Sequence, residues 1–334
     1  MSLVRCLVAL ALTLSSSLIA QERRWVPQGL TRVGGIAAEG DALLQPLKAV
    51  ADDSAIYVFD NGDHQLKAFD LHGRPRWKVG RRGQGPGEFT GVTATSLSSS
   101  GDIWLYDTGN LRITVIAPDG HIRWEVRSSR LLLPGGAVPL PNGSYLAQTN
   151  SAGPFLARFD STGAMLAALP VPPDLAGRNV LEAHVVGDRS GGYVVFSALH
   201  SDRFYLIDEG TLRVRSYRGV ERMAFPKWYS STITTARGER VEGIRPAPGN
   251  PTGAVAALVL GQTVQVLMGS VADSPFRTVD MFAVASGAYL GSYRLPVSCT
   301  TLTLATRSLV CLQLDPAPQV HVWALAPGAE PAAK

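Results

Sequence analysis

The sequence predicts an all-β protein, a six-bladed β-propeller of four-stranded antiparallel blades whose last blade is completed by a strand from the N-terminus. The first observation behind this is a repeat. Ile56–Val79 returns 47 residues later as Ile103–Val126 without a gap, so that Asp60 falls on Asp107, Gly62 on Gly109, Gly73 on Gly120 and Arg76-Trp77 on Arg123-Trp124. A unit of about 40 to 50 residues that reads strand, turn, strand, turn, strand is a propeller blade. The second is a turn ending in Gly that recurs at Gly73, Gly120, Gly163, Gly210, Gly287 and Gly328, at intervals of 47, 43, 47, 77 and 41 residues. Gly tolerates the positive φ of tight hairpins, so six such turns imply six blades. The third lies at the chain ends. Only Ala329–Lys334 follow the last turn, too few for an outer strand, whereas a strand-like segment at Trp25–Val33 precedes the first blade and is free to supply it.

Taken in chain order, residues 1–20 carry Arg5, an apolar run from Leu7 to Leu14, and Ser15–Ala20 before the polar Gln21-Glu22-Arg23-Arg24. A basic start, a short apolar run and a small residue at its end read as a secretory signal cleaved near Ala20. The run is shorter than the roughly 18 residues of a spanning helix, so the sequence predicts export to the periplasm or outside the cell and no membrane span. Residues 21–334 then form a single domain. Its 46% apolar and 17% charged composition folds, and 34 Gly with 22 Pro suit many short strands joined by turns. A formal charge of +4, evenly spread, excludes a nucleic-acid partner. Nothing in the sequence points to an oligomer, and a monomer is expected.

The first blade begins near Leu44. Leu47–Ala51, Val92–Leu97 and Leu302–Leu304 read as inner strands. Ile56–Phe59, Ile103–Tyr106, Tyr193–Phe196, Val264–Met268 and Leu309–Leu312 read as middle strands, apolar at nearly every position because neighbouring sheets cover both faces. Between blades one and two lies the Gly-rich joint Gly80–Phe89. The interval of 77 residues holds an insertion at about 221–252, with Phe225, Trp228 and Tyr229 among Arg and Glu, read as a structureless excursion over the surface or, alternatively, as a lid or docking loop. Cys299 and Cys311 flank the turn Ala305–Ser308; in an oxidising compartment they are either bonded across a hairpin or two buried thiols.

Asp107-Thr108-Gly109-Asn110-Leu111-Arg112-Ile113, followed by Pro118-Asp119-Gly120, resembles the NHL-type repeat, and the joint Gly80–Phe89 resembles the inter-blade joint of the same family and of exported bacterial six-bladed propellers of unassigned function. The resemblance covers residues 55–130 and implies the propeller fold. Blade one departs from it, with Asp63 and Gln65 where blade two has Asn110 and Arg112.

Consecutive Gly amides in the joint suggest a phosphate cradle, but the Gly-Lys-Ser/Thr ending is missing and a strand follows. No histidine lies within four residues of another His or of a Cys, no Gly-x-Ser-x-Gly elbow occurs, and Asp52-Asp53 reads as a solvated turn. Trp77 and Trp124 sit in outer strands and read as packing residues rather than sugar platforms. A Ca²⁺ ion held by Asp60, Asp63 and Asp107 is the one cofactor the loops suggest; otherwise none is expected. The face where loops after the middle strands meet the joints between blades gathers Asp60, Asp63, Arg81, Arg82, Asp107, Asn110, His200, Arg203, Trp228 and Tyr229. Mixed charge beside aromatics suits a protein, a peptide or a small polar ligand. The expectation is an exported, non-catalytic binding propeller; the alternative is a metal-dependent, lactonase-like hydrolase or lyase with its site at the axis.

Overall fold

The computed structural model describes residues 22–38, 42–127, 137–148, 156–169, 172–173, 185–190, 192–198, 201–223, 227–234, 240–247, 249, 252–272, 274–305 and 308–325. The predicted signal at 1–20 lies outside them, as does the Gly328 turn. Strand β1 (Leu30–Ile36) opens the fold. Blade one is β2 (Pro46–Ala51), β3 (Ala55–Asp60), β4 (Gln65–Asp70) and β5 (Pro75–Val79); blade two is β6 (Val92–Leu97), β7 (Ile103–Asp107), β8 (Arg112–Ile116) and β9 (Ile122–Arg127). Blade three is β10 (Ala137–Pro139), β11 (Tyr145–Gln148), β12 (Leu156–Phe159) and β13 (Met165–Ala168); blade four is β14 (Val185–Ser190), β15 (Tyr193–Ala198), β16 (Arg203–Asp208) and β17 (Val214–Arg218). A hairpin of β18 (Trp228–Thr234) and β19 (Arg240–Pro246) follows, then blade five as β20 (Ala254–Leu260), β21 (Thr263–Met268), β22 (Thr278–Ala283) and β23 (Tyr289–Arg294). Blade six is β24 (Thr301–Ala305), β25 (Ser308–Gln313) and β26 (Gln319–Leu325), completed by β1. The six-bladed propeller is therefore the observed fold. Among the described residues no helix is long and apolar enough to cross a membrane.

Alternation along the strands explains why one long apolar pattern builds a ring instead of one central core. Ile56 and Val58 pack with Val310 and Val322 of blade six, while Tyr57 and Phe59 pack with Leu105 and Phe89 on the side of blade two. Every pair of neighbouring blades encloses such a cluster, so both faces of each middle strand are covered.

Closure follows the expectation with a shifted register. The outer strand of blade six is Leu30–Ile36 rather than Trp25–Val33, and Leu30 pairs with Leu325 and Ile36 with Val320 around an irregularity between Arg32 and Gly34. The segment before it takes a second partner that the sequence did not suggest: Trp25 forms a parallel bridge with Ser292 of β23, and the Trp25 ring lies 4.4 Å from the Arg294 guanidinium. Gly34-Gly35 explains the shift. The Gly35 amide donates to Leu71 O at 2.9 Å, and a Cβ on Gly34 would lie 2.0 Å from that same oxygen, so the strand fits between blades six and one only where it has no side chains.

Two further features differ from the sequence reading, and a third decides a pairing it left open. The insertion is not structureless: Trp228 pairs with Pro246 and Thr234 with Arg240 in a regular antiparallel ladder, as β-branched and aromatic residues in Trp228–Thr234 favour. Its ends meet at the base, where the Ala247 amide donates to Lys227 O at 2.8 Å. In blade four the turn closes through Leu212 N to Asp208 O, and Leu212 instead of Gly210 adopts the left-handed conformation, with φ 56°. Cys299 and Cys311 form a disulfide, but Cys299 precedes β24, so the bond ties the joint entering blade six to its second strand.

Candidate functional site

The expected binding face is built on two related knots. Asp60 ends β3 fully buried, and its carboxylate accepts hydrogen bonds from the amides of Leu44 (2.7 Å), Gln45 (2.7 Å) and Gly62 (2.9 Å). Lys67 Nζ completes the knot, 2.9 Å from Asp60 Oδ2, 2.8 Å from Asp63 Oδ2 and 3.0 Å from Ala42 O. Burial alone pushes the Asp60 pKa up, but the three amides and Lys67 outweigh it and hold the group below its ordinary value. Burial likewise pulls Lys67 down, and the two carboxylates more than reverse this.

In blade two Asp107 makes the equivalent clamp, accepting from the amides of Thr90 (3.0 Å), Gly91 (2.9 Å) and Asn110 (3.1 Å). In both blades the carboxylate at the end of the second strand fastens the two residues that lead into the first strand. Asn110 Nδ2 reaches Asp107 Oδ2 (2.8 Å), Gly83 O (3.0 Å) and Glu88 O (3.2 Å), and the buried Arg112 donates to Gly85 O at 2.9 Å and to Glu88 O. The Asp-Gly-Asn-Arg pattern thus pins the Gly-rich joint to its blade.

Within that joint an anion is already bound, and it belongs to the chain. The Gly85 amide donates to Glu88 Oε2 at 2.8 Å and Arg81 Nη2 lies 2.7 Å from Glu88 Oε1, which holds this carboxyl below the usual range. The Arg81 side chain nevertheless remains 79% exposed, and Arg82 is also exposed.

The remaining expected residues are spread around the ring. Arg203 opens β16 opposite Arg218, whose guanidinium lies 3.1 Å from the buried Asp202. Tyr229 is exposed at the base of the hairpin, opposite Arg245, and Trp228 pairs there with Pro246. His200 lies outside the described residues. The structure therefore joins Asp60 to Asp63 through Lys67, and Asp107 to Asn110 and the joint, but it buries Asp60 and Asp107 instead of presenting them to a ligand. As for Ca²⁺, Asp60 and Asp107 already face amide donors, and among the described residues no three His, Cys, Asp or Glu side chains are grouped to hold a metal. Lys67, Glu88 and Arg218 escaped the sequence reading. Only Lys67 carried a signal: a charged residue set between the apolar Leu66 and Ala68-Phe69.

Residues 41–114 match the profile of a family described as 6-bladed beta-propeller. No curated protein matches the chain significantly. Solved structures similar to it include virginiamycin B lyase from Staphylococcus aureus, at 12% identity over 90% of this chain and 100% of that one with a TM-score of 0.51. The Neurospora crassa Pan2 WD40 domain is similar at 10% identity over 92% and 98%, with a TM-score of 0.51. U3-55K is similar at 13% identity over 89% and 100%, with a TM-score of 0.55. At these identities the likeness is one of fold.

Proposed function

We propose that this chain is an exported, monomeric, non-catalytic propeller of NHL-type kinship that binds a protein or peptide, or a small polar ligand, on the face carrying Arg81, Arg82, Asp63, Arg203 and the hairpin. One observation carries the reading: β18 and β19 form a sheet of their own outside the blades, with Tyr229 45% exposed, and so add surface that the ring does not need. The charged groups of this face support recognition rather than chemistry. Asp60, Glu88 and Asp202 each face a basic partner of the same chain, which leaves a rigid surface of fixed loops.

Because Lys67–Asp60 and Arg81–Glu88 do not involve the hairpin, and its ends meet at Lys227 and Ala247, replacing 228–246 with a short Gly-Ser linker leaves the blades intact. Peptides selected from a displayed library on the intact protein are expected to lose at least tenfold in affinity for this variant and for Tyr229→Ala. Equal binding to all three proteins would remove the hairpin from the site. The competing reading, a metal-dependent hydrolase or lyase at the axis, gains support if the purified protein carries one divalent ion per chain.

A further inference from the structure

On the opposite face, formed by the loops between first and second and between third and fourth strands, the two copies of the repeat differ in the turn that stands beside the outer-strand tryptophan. In blade one the turn of blade two reaches the outer-strand Trp77: its Nε1 donates to Pro118 O at 3.0 Å, and a Cβ on Gly120 would lie 3.1 Å from the indole, while Trp77 also borders a cleft of about 380 Å³ with Pro75, Arg76 and Lys78. Trp124 occupies the same position 47 residues later and borders a cavity of about 360 Å³ that blades two and three line together. Ser161, which stands where Pro118 stands in the repeat, lines that cavity instead of capping the ring.

We propose that this cavity is a binding site for a neutral saccharide, one sugar ring or a short oligosaccharide. Its volume falls in the range of small-molecule sites. Trp124 meets Trp104 edge to face at 4.9 Å, which gives the cavity a fixed aromatic wall suited to the C–H face of a sugar. Around it runs a chain of groups that both donate and accept: Ser98 Oγ to Ser100 Oγ at 2.8 Å, Ser100 Oγ to Asp102 Oδ2 at 2.9 Å, and across the cleft Ser144 Oγ to Asn142 Oδ1 at 2.6 Å. Hydroxyls and amides of this kind match the mixed donors and acceptors of a polyol. The charges nearly cancel. Asp102 is neutralised by Arg123 Nε at 2.6 Å, and Arg158, which donates to Ser144 Oγ at 2.9 Å, stands among the lining residues with Asp160. An anionic ligand would meet two carboxylates and a single lining arginine.

The test is calorimetry and saturation-transfer NMR on the full mature chain with glucose, galactose, mannose, N-acetylglucosamine, maltose, cellobiose and lactose, and with glucuronic acid as the charged comparator. Saturable binding of at least one neutral sugar at millimolar concentration or below is expected, weakened at least tenfold by Trp124→Ala. Because loss of that indole also removes packing, Ser161→Tyr serves as the second variant: it fills the cavity from its exposed rim, and it should abolish binding without changing the melting temperature. Failure of every neutral sugar to bind, preference for glucuronic acid, or binding that survives Ser161→Tyr would each overturn the proposal.

Discussion

Asp60 is a charged group that never reaches the surface, and its worth to the fold is open to direct measurement. Removing one member of a buried pair leaves the other uncompensated, so Asp60→Ala should cost about 3 kcal/mol in urea unfolding, even with Asp63 still beside Lys67. Its folded pKa is depressed, so the ionised form contributes its full stabilisation above the unfolded value of about 3.9 and loses it as the pH falls through the folded value. Wild-type stability should therefore drop below about pH 4, and Asp60→Asn, which lacks the titrating group, should drop less over the same interval. His321 gives a second, higher window. It is 5% exposed, stacks on Trp323 and hydrogen-bonds Gln313 at 2.7 Å. Burial and then the charge of Arg32 lower its pKa, so the fold prefers the neutral ring. That contribution is complete above about pH 6.5 and declines on acidification. The melting temperature should fall between pH 7.5 and 5.5, and His321→Gln should flatten that slope.

At the scale of single elements, the Gly-rich joint shows how a motif that resembles a ligand loop serves the chain itself. Its backbone is held by Asn110 and Arg112 and its amides by Glu88. Truncating Arg112 to Ala frees the carbonyls of Gly85 and Glu88, and amide exchange in 80–89 should rise at least tenfold while the blade-five amides stay protected. The disulfide belongs to the same scale. Its loop, with a separation of 12 residues, makes the Cys299→Ala, Cys311→Ala double variant less stable by about 3 kcal/mol, read as a shift of the denaturation midpoint. The joint and the cysteines were visible in the sequence, because a dense run of Gly and a pair of scarce Cys are position-specific signals. The Cys299–Cys311 bond was one of two readings the sequence left open; what the joint binds was not visible, since Glu88 and Arg112 find their partners only by how loops approach once the blades stand side by side.

For the molecule as a whole, stability depends on closing the ring. Strand β1 pairs with β26 on one side and reaches Leu71 of blade one on the other, while Arg23 forms a bidentate pair with the buried Asp280 at 3.0 and 3.1 Å. Deleting 22–36 exposes the edge of β26 and leaves Asp280 without that arginine, and should lower the melting temperature by more than ten degrees; Gly34→Val, whose Cβ meets Leu71 O, should reproduce much of the loss. Blade number, strand order and the origin of the closing strand were all readable in the chain, because a repeat of turns at fixed spacing and an unfilled last blade are local, countable patterns. Tertiary structure alone decided three things. The register of β1 was set by a carbonyl 36 residues beyond Gly35. Asp60 and Asp107 became clamps instead of ligands, because amides from the preceding joint arrive at their oxygens. Trp77 and Trp124, identical in sequence position, differ in their contacts because the turn of the next blade bonds the first through Pro118 O and lines a cavity beside the second. Sequence records what each blade is made of, whereas burial and access arise only in the space between blades.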